Sequence, residues 1–216
     1  MERVLVIGPG PQARSIPDVI AASRNLELIG FVDMANERRF LSGDIAHFPV
    51  YEAAQFPEEL KAKLGEFSVL VTIDRKGIRQ QVIEQVRESG LPLANIIHPS
   101  AVISPNARLG GGILVSPGVI IGFGASIGNH VIINSAATID HDSVIQDDII
   151  ISPGVHLAGF VTIKSGTFIG IGACSVPGVT IGSNCTIGAG AVVIDDIPDN
   201  VVAAGVPAKV IRSQSY

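Results

Sequence analysis

Tryptophan is absent from the 216 residues, and aromatic side chains of all kinds make up only 5%. A core built from large rings is thereby excluded, so packing has to come from aliphatics. Two cysteines, Cys174 and Cys185, are too few for a disulfide framework, and the expected compartment is the cytoplasm. Charge is sparse at 16%, with a net value of −5, which argues against a nucleic-acid partner. Hydrophobic residues reach 47% and mean hydropathy is +0.45. Even so, no uninterrupted apolar run approaches the ~20 residues of a membrane span. Met1 is followed by Glu2, Arg3 and a four-residue apolar run, too short for a signal peptide.

What the chain does have is a period of six. Stepping by six gives Ile103, Leu109, Val115, Ile121, Ile127, Ile133, Ile139, Ile145, Ile151, Leu157, Ile163, Ile169, Ser175, Ile181, Ile187 and Val193. Only Ser175 departs from the branched aliphatic rule. The next position is often glycine, and four after the aliphatic the residue is small or β-branched, as at Ala125, Val131, Ala137, Ser143, Val155 and Ala173. Neither an amphipathic helix nor a hairpin sheet repeats every six residues. Hexads of this kind mark a parallel β-helix. Three hexads per coil stack residues eighteen apart at ~4.8 Å. That predicts three internal ladders, led by Ile103, Leu109 and Val115. No loop interrupts the register, so a smooth prism without a pocket of its own is expected.

Charge divides the chain. Residues 1–100 hold 24 of the 35 charged side chains. With Pro99 beside the first hexad, this sets a domain boundary near residue 100, giving domains 1–100 and 101–216. In the front part, residues 3–7 read as a buried strand and 13–23 as a helix. Leu26 to Val32 is a second strand with Asp33 at its carboxyl end. A short helix starts at Pro57, Ser68 to Ile73 is a third strand, and 77–89 is an amphipathic helix stopped by Gly90. Alternating strands and helices imply a small parallel sheet. Gly8-x-Gly10-x-x-Ala13 between strand and helix, with an acid further on, matches a dinucleotide fingerprint in form. Three βα units make only a mononucleotide half, and Pro11 removes an N–H where a phosphate wants a donor. The nucleotide of an activated sugar fits that size better than NAD; a tight turn needing glycine for packing is the alternative.

The Gly-rich βαβ start, Ile97-His98-Pro99, the hexads and the closing Gly205-Val206-Pro207-Ala208-Lys209-Val210-Ile211 resemble the sialic acid O-acetyltransferase family. That family includes the sugar N-acetyltransferases of bacillosamine and perosamine pathways. The resemblance implies a left-handed β-helix behind a Rossmann-like front domain that binds a nucleotide sugar. Handedness rests on it alone, since the crossover rule favours the right hand. It further implies homotrimers with active sites between prisms, acetyl-coenzyme A as acetyl donor, and a sugar amine or hydroxyl as acceptor. Gly10, Pro11, Gln12 and Asp33 occupy the family's substrate-binding positions, with Gly10-Pro11-Gln12 where relatives carry Gly-Gly-His. Ile150, Gly159, Ile171 and Ala189 match positions that hold coenzyme A, with Lys209 and Arg212 the better candidates for its phosphates.

Three histidines lie in the repeat: His130, His141 and His156. His141 stands between Asp140 and Asp142, in the slot where the family carries its general base followed by a supporting acid. A neutral imidazole accepts a proton near pH 7, and a neighbouring carboxylate holds the productive tautomer. Hexad assignment puts the three histidines on different faces, against a metal site within one chain. No metal is therefore expected. Cys174 and Cys185 read as packing residues rather than acyl carriers. The expected enzyme moves acetyl to the amino group of a nucleotide-linked 4-amino-4,6-dideoxy sugar. Sugar O-acetylation is the alternative; a metal-dependent hydratase and a non-catalytic scaffold are the more distant rivals.

Overall fold

Each hexad becomes a two-residue strand and a four-residue corner. The computed structural model describes residues 1–36 and 47–214. Within it, sixteen such strands run from Val102–Ile103 to Val192–Val193. As far as Cys174–Ser175, each strand pairs in parallel with the one eighteen residues on, as in Ile121↔Ile139, Ile127↔Ile145 and Ile133↔Ile151. The three ladders are those set by the period. The periodic aliphatic points inward; Ile121, Ile139, Ile151, Ile163 and Ile187 are all 0–1% exposed. Each such burial is worth ~1.5–3 kcal/mol, so a chain without tryptophan still assembles a continuous core. The fourth-position residues Ala125, Val131, Ala137, Ser143, Val155 and Ala173 fill the corners and are buried too. Ser175, the exception in the pattern, has its hydroxyl satisfied by the Ala158 amide at 3.2 Å.

Three flat faces result. The first carries the strands around 103, 121, 139, 157, 175 and 193; the second those around 109, 127, 145, 163 and 181; the third those around 115, 133, 151, 169 and 187. Val201–Ala204 extends the third face beside Thr186–Ile187. It then turns back on Lys209–Ser213 in an antiparallel pair that closes the edge.

The contacts of the chain divide it into two units, Met1–His98 and Pro99–Tyr216. The first holds a parallel sheet of β1 (Glu2–Ile7), β2 (Leu26–Asp33), β3 (Val50–Glu52) and β4 (Ser68–Val71), in the order β3-β2-β1-β4. Helices α1 (Ile16–Ala22), α2 (Glu58–Leu64) and α3 (Lys76–Ser89) accompany it. Three details differ from the sequence reading. A fourth strand, β3, joins the edge beside Phe31–Asp33; at three residues it is too short to show a pattern. The helix expected over 13–23 begins as a 3₁₀ turn, Pro11–Ser15, and becomes α-helical only at Ile16. Pro17 is the reason: its ring excludes the carbonyl of Ala13 from an α-helical bond, so an α-helix cannot run through that turn. Finally, β4 stops at Val71, two residues early. The buried guanidinium of Arg79 donates to the carbonyls of Val71 and Ile73 at 3.0 and 3.1 Å, satisfying groups that the strand leaves open. No helix among the described residues is long and apolar enough to cross a membrane.

Candidate active site

His141 sits in the corner between the first and second faces, just after the strand Thr138–Ile139. Its neighbours in space are set by stacking: 123–124 in the coil before and 159–160 in the coil after. Asp142 adopts a left-handed backbone, φ +55°, and its N–H donates to the Phe123 carbonyl at 2.8 Å. This turn brings the carboxylate back onto the imidazole, with Asp142 Oδ2 3.0 Å from His141 Nδ1. A carboxylate only accepts, so Nδ1 carries the proton and Nε2 keeps its lone pair. Asp140 is used differently: its Oδ1 accepts the His141 backbone N–H at 2.7 Å and fixes the corner.

Glycines make the room. A Cβ at Gly159 would fall 2.6 Å from both Cε1 and Nε2 of His141, and one at Gly124 only 2.5 Å from Asp142 Oδ1. Phe160 completes the surround, its ring edge-on to the imidazole with centroids 5.0 Å apart. Phe160 is left-handed at φ +61°, a conformation that costs a bulky residue roughly 1–2 kcal/mol. The sequence reading named Gly159 but missed Gly124 and Phe160. The signal was present, since they lie eighteen residues from Asp142, one coil away on either side.

The first face is not smooth. A shallow groove of about 400 Å³ runs along it, lined by Ile120, Thr138, Asp140, His156, Cys174 and Ser175 among others. His156 therefore shares a face with the Ile139 ladder, which corrects the assignment of the three histidines to three faces. The residue before each aliphatic belongs to the same strand and points outward from it. Here His156 Nδ1 lies 2.9 Å from Thr138 Oγ1, across from its strand partner. Cys174 is half-buried beside it, and Cys185 is fully buried. Among the described residues, no group of three or more His, Cys, Asp or Glu side chains is placed to hold a metal ion.

No family model matches the chain. Solved structures do. The acetyltransferase domain of PglB from Neisseria gonorrhoeae, in complex with acetyl coenzyme A, is 35% identical with a TM-score of 0.86; the match covers 97% of this chain and 99% of that one. Perosamine N-acetyltransferase from Caulobacter crescentus, a histidine-to-asparagine variant in complex with CoA and GDP-perosamine, is also 35% identical with a TM-score of 0.86, covering 99% and 98%. The chain belongs to the hexapeptide-repeat acetyltransferases. WeeI from Acinetobacter baumannii, at 20% identity and a TM-score of 0.84, shares the fold. The stacked parallel strands together with these neighbours fit a left-handed β-helix.

The positions matched to this acetyltransferase family for coenzyme A do not gather on one chain. Gly159 lies under His141. Ile171 and Ala189 occupy the opposite corner of the first face in consecutive coils, with Gly190 N–H donating to the Ile171 carbonyl at 2.8 Å. Ile150 is buried on the third face. Lys209 Nζ lies 3.5 Å from Asp195 Oδ2, both exposed.

In the first unit, the proposed substrate positions share one edge of the sheet. Gly10, Pro11 and Gln12 follow β1, and Asp33 ends β2, so all four stand at the carboxyl ends of parallel strands, where such sheets take ligands. Gly8 keeps the loop close: a Cβ there would fall 2.5 Å from Ile73 Cγ1. Thr72 Oγ1 donates to the Gly8 carbonyl at 2.7 Å. Asp33 Oδ1 accepts from Ala35 N–H at 3.3 Å, and Arg75 donates to the Ala35 carbonyl. Arg75 thus ties two loops of this edge together. A cavity of about 960 Å³ opens at the other edge, by Glu2, Arg3 and Ser68. Its cations already donate to backbone: Arg3 to Leu64 and Glu66, Lys61 to Ser89. Volume alone does not mark the site here.

Proposed function

We propose that this chain transfers the acetyl group of acetyl-coenzyme A to the amine of a nucleotide-linked 4-amino-4,6-dideoxy sugar, with His141 as general base. It is then an N-acetylating member of the sialic acid O-acetyltransferase family. The observation that carries the reading is the 3.0 Å contact between His141 Nδ1 and Asp142 Oδ2. It leaves Nε2 to take a proton from the amine as the nitrogen attacks the thioester carbonyl. The C–N bond forms, the C–S bond breaks, and the departing thiolate takes the proton back from the imidazolium. Direct attack needs no acyl-carrying side chain, which agrees with the burial of Cys185. Gly159 is the candidate oxyanion donor, because no described residue accepts from its N–H.

Support for the substrates comes from the neighbours solved with acetyl coenzyme A, and with CoA and GDP-perosamine. In this reading residues 1–100 form a Rossmann-like nucleotide-sugar-binding domain, using Gly10, Pro11, Gln12 and Asp33. Residues 101–216 form the acyltransferase domain, with Ile150, Gly159, Ile171 and Ala189 along the coenzyme A path. His141 and the Ile171–Ala189 pair lie at opposite corners of one face. A homotrimer, which sets the corner of one prism against that of the next, would unite them between subunits. The setting is the cytoplasm.

The test measures kcat/KM for paired acceptors that differ only in amine or hydroxyl, each free or nucleotide-linked. Preference for the nucleotide-linked amine is expected. Preference for the hydroxyl moves the reading to O-acetylation. Equal rates for free and nucleotide-linked sugars remove the nucleotide role of the first domain.

A further inference from the structure

Phe160 is held in a conformation that stability does not explain. In the stack of corners that contains His141, the left-handed position is filled by Gly124, Asp142, Phe160 and Gly178. Two are glycine, which takes that backbone freely, and Asp142 uses it to reach His141. Phe160 is bulky, left-handed at φ +61° and 59% exposed, so it gains little from burial. What its ring does meet is the imidazole of His141, at 5.0 Å between centroids and 88° between planes.

We infer that Phe160 is a specificity-determining wall of the acceptor site, reading an apolar substituent on the carbon next to the reacting amine. The inference rests on the N-acetyltransferase reading and names what it selects. An amine bonded to His141 Nε2 lies about 3 Å from it and so is presented alongside the phenyl ring. In a 4-amino-4,6-dideoxy sugar the carbon beside the amine-bearing one carries a methyl group. Its 6-hydroxylated counterpart carries a hydroxymethyl. The phenyl offers the methyl an apolar contact, but it gives a hydroxyl no hydrogen bond in exchange for lost water.

The experiment compares two nucleotide-linked 4-amino sugars, identical except for methyl or hydroxymethyl at that carbon. The enzymes are the wild type, Phe160→Asn and Phe160→Leu. Asparagine tolerates the left-handed backbone, so Phe160→Asn should melt at or above the wild-type temperature. Wild type should prefer the methyl acceptor by about 10- to 100-fold in kcat/KM, the range for one small group in an apolar pocket. Phe160→Asn should bring the ratio close to one, and Phe160→Leu should keep most of it. An unchanged ratio in Phe160→Asn overturns the wall. So does a wild type active on both amines without preference, which leaves N-acetyl transfer standing. A wild type inactive on both amines overturns both.

Discussion

His141 and Asp142 are adjacent in the chain, which is why the sequence is enough to show the pair. The structure adds which nitrogen does what. With Nδ1 committed to the carboxylate at 3.0 Å, only Nε2 is left to receive a proton. Replacing His141 by Asn should therefore lower kcat by about 10²-fold or more, the usual weight of general-base catalysis, with coenzyme A affinity nearly unchanged. Asp142→Asn should be milder. An amide presents either a donor or an acceptor to Nδ1, so the productive tautomer is populated but no longer enforced. Steady-state kinetics of both variants, with coenzyme A affinity by calorimetry, checks the ranking. An Asp142→Asn loss as large as that of His141→Asn would mean the carboxylate does more than hold the ring. Near-normal turnover in folded His141→Asn would remove the base. Other contacts of the site were hidden for a simple reason. Phe160 and Gly124 meet this dyad only because residues eighteen apart stack, and the sequence reading applied that offset to the core ladders alone.

At the scale of the element, the coil decides which glycines matter. The hexad sets strands, ladders and corners, though not the hand of the coil, because one aliphatic every six residues is buried when three short strands make each turn. It misplaced His156 because a residue just before the aliphatic reads as the tail of one hexad, whereas it pairs within the next strand. Gly159 and Gly154 belong to neighbouring corners and show two separate demands. A methyl group at Gly159 would fall 2.6 Å from His141 Cε1 and Nε2, yet it meets a half-exposed side chain that can swing away. Gly159→Ala should therefore keep its Tm within a few degrees while kcat falls by about 10-fold or more, since displacing a catalytic group by about 1 Å is that costly. Gly154 has open space around it but a left-handed backbone, φ +64°. Gly154→Ala should lose about 1 kcal/mol of stability and keep its turnover. Thermal melts beside kinetics on the two variants give the crossed pattern; parallel losses in both would mean that Gly159 serves the coil rather than the imidazole. In the first unit the same scale explains what was not legible. Pro17 keeps Pro11–Ser15 out of the α-helix that Ile16, Val19 and Ile20 form, and Arg79 is buried because one carbonyl at the end of β4 and one just past it need a donor.

For the whole molecule, the placement of residues leads to a prediction about assembly. His141 stands at one corner of the first face, and Ile171 and Ala189 at the other. If a trimer completes the site, each site takes its base from one subunit and its coenzyme A corner from the next. Two differently inactivated chains can then repair one another. His141→Asn removes the base, and Ala189→Trp fills the exposed corner where the pantetheine arm would run; each alone should be inactive. Co-expressed in equal amounts and assembled at random, the two should regain activity. One site in four combines the intact base of one chain with the intact corner of the other, so turnover should return to about a quarter of wild type per site in a cyclic assembly. Mixing the two proteins after separate purification should give nothing until subunits exchange. Sedimentation of the co-expressed material should show a species of about three times the 22.5 kDa chain. Absence of recovery, with both variants present in the same trimers, would place base and coenzyme A corner on one chain. A fully active monomer would remove the trimer from the mechanism altogether.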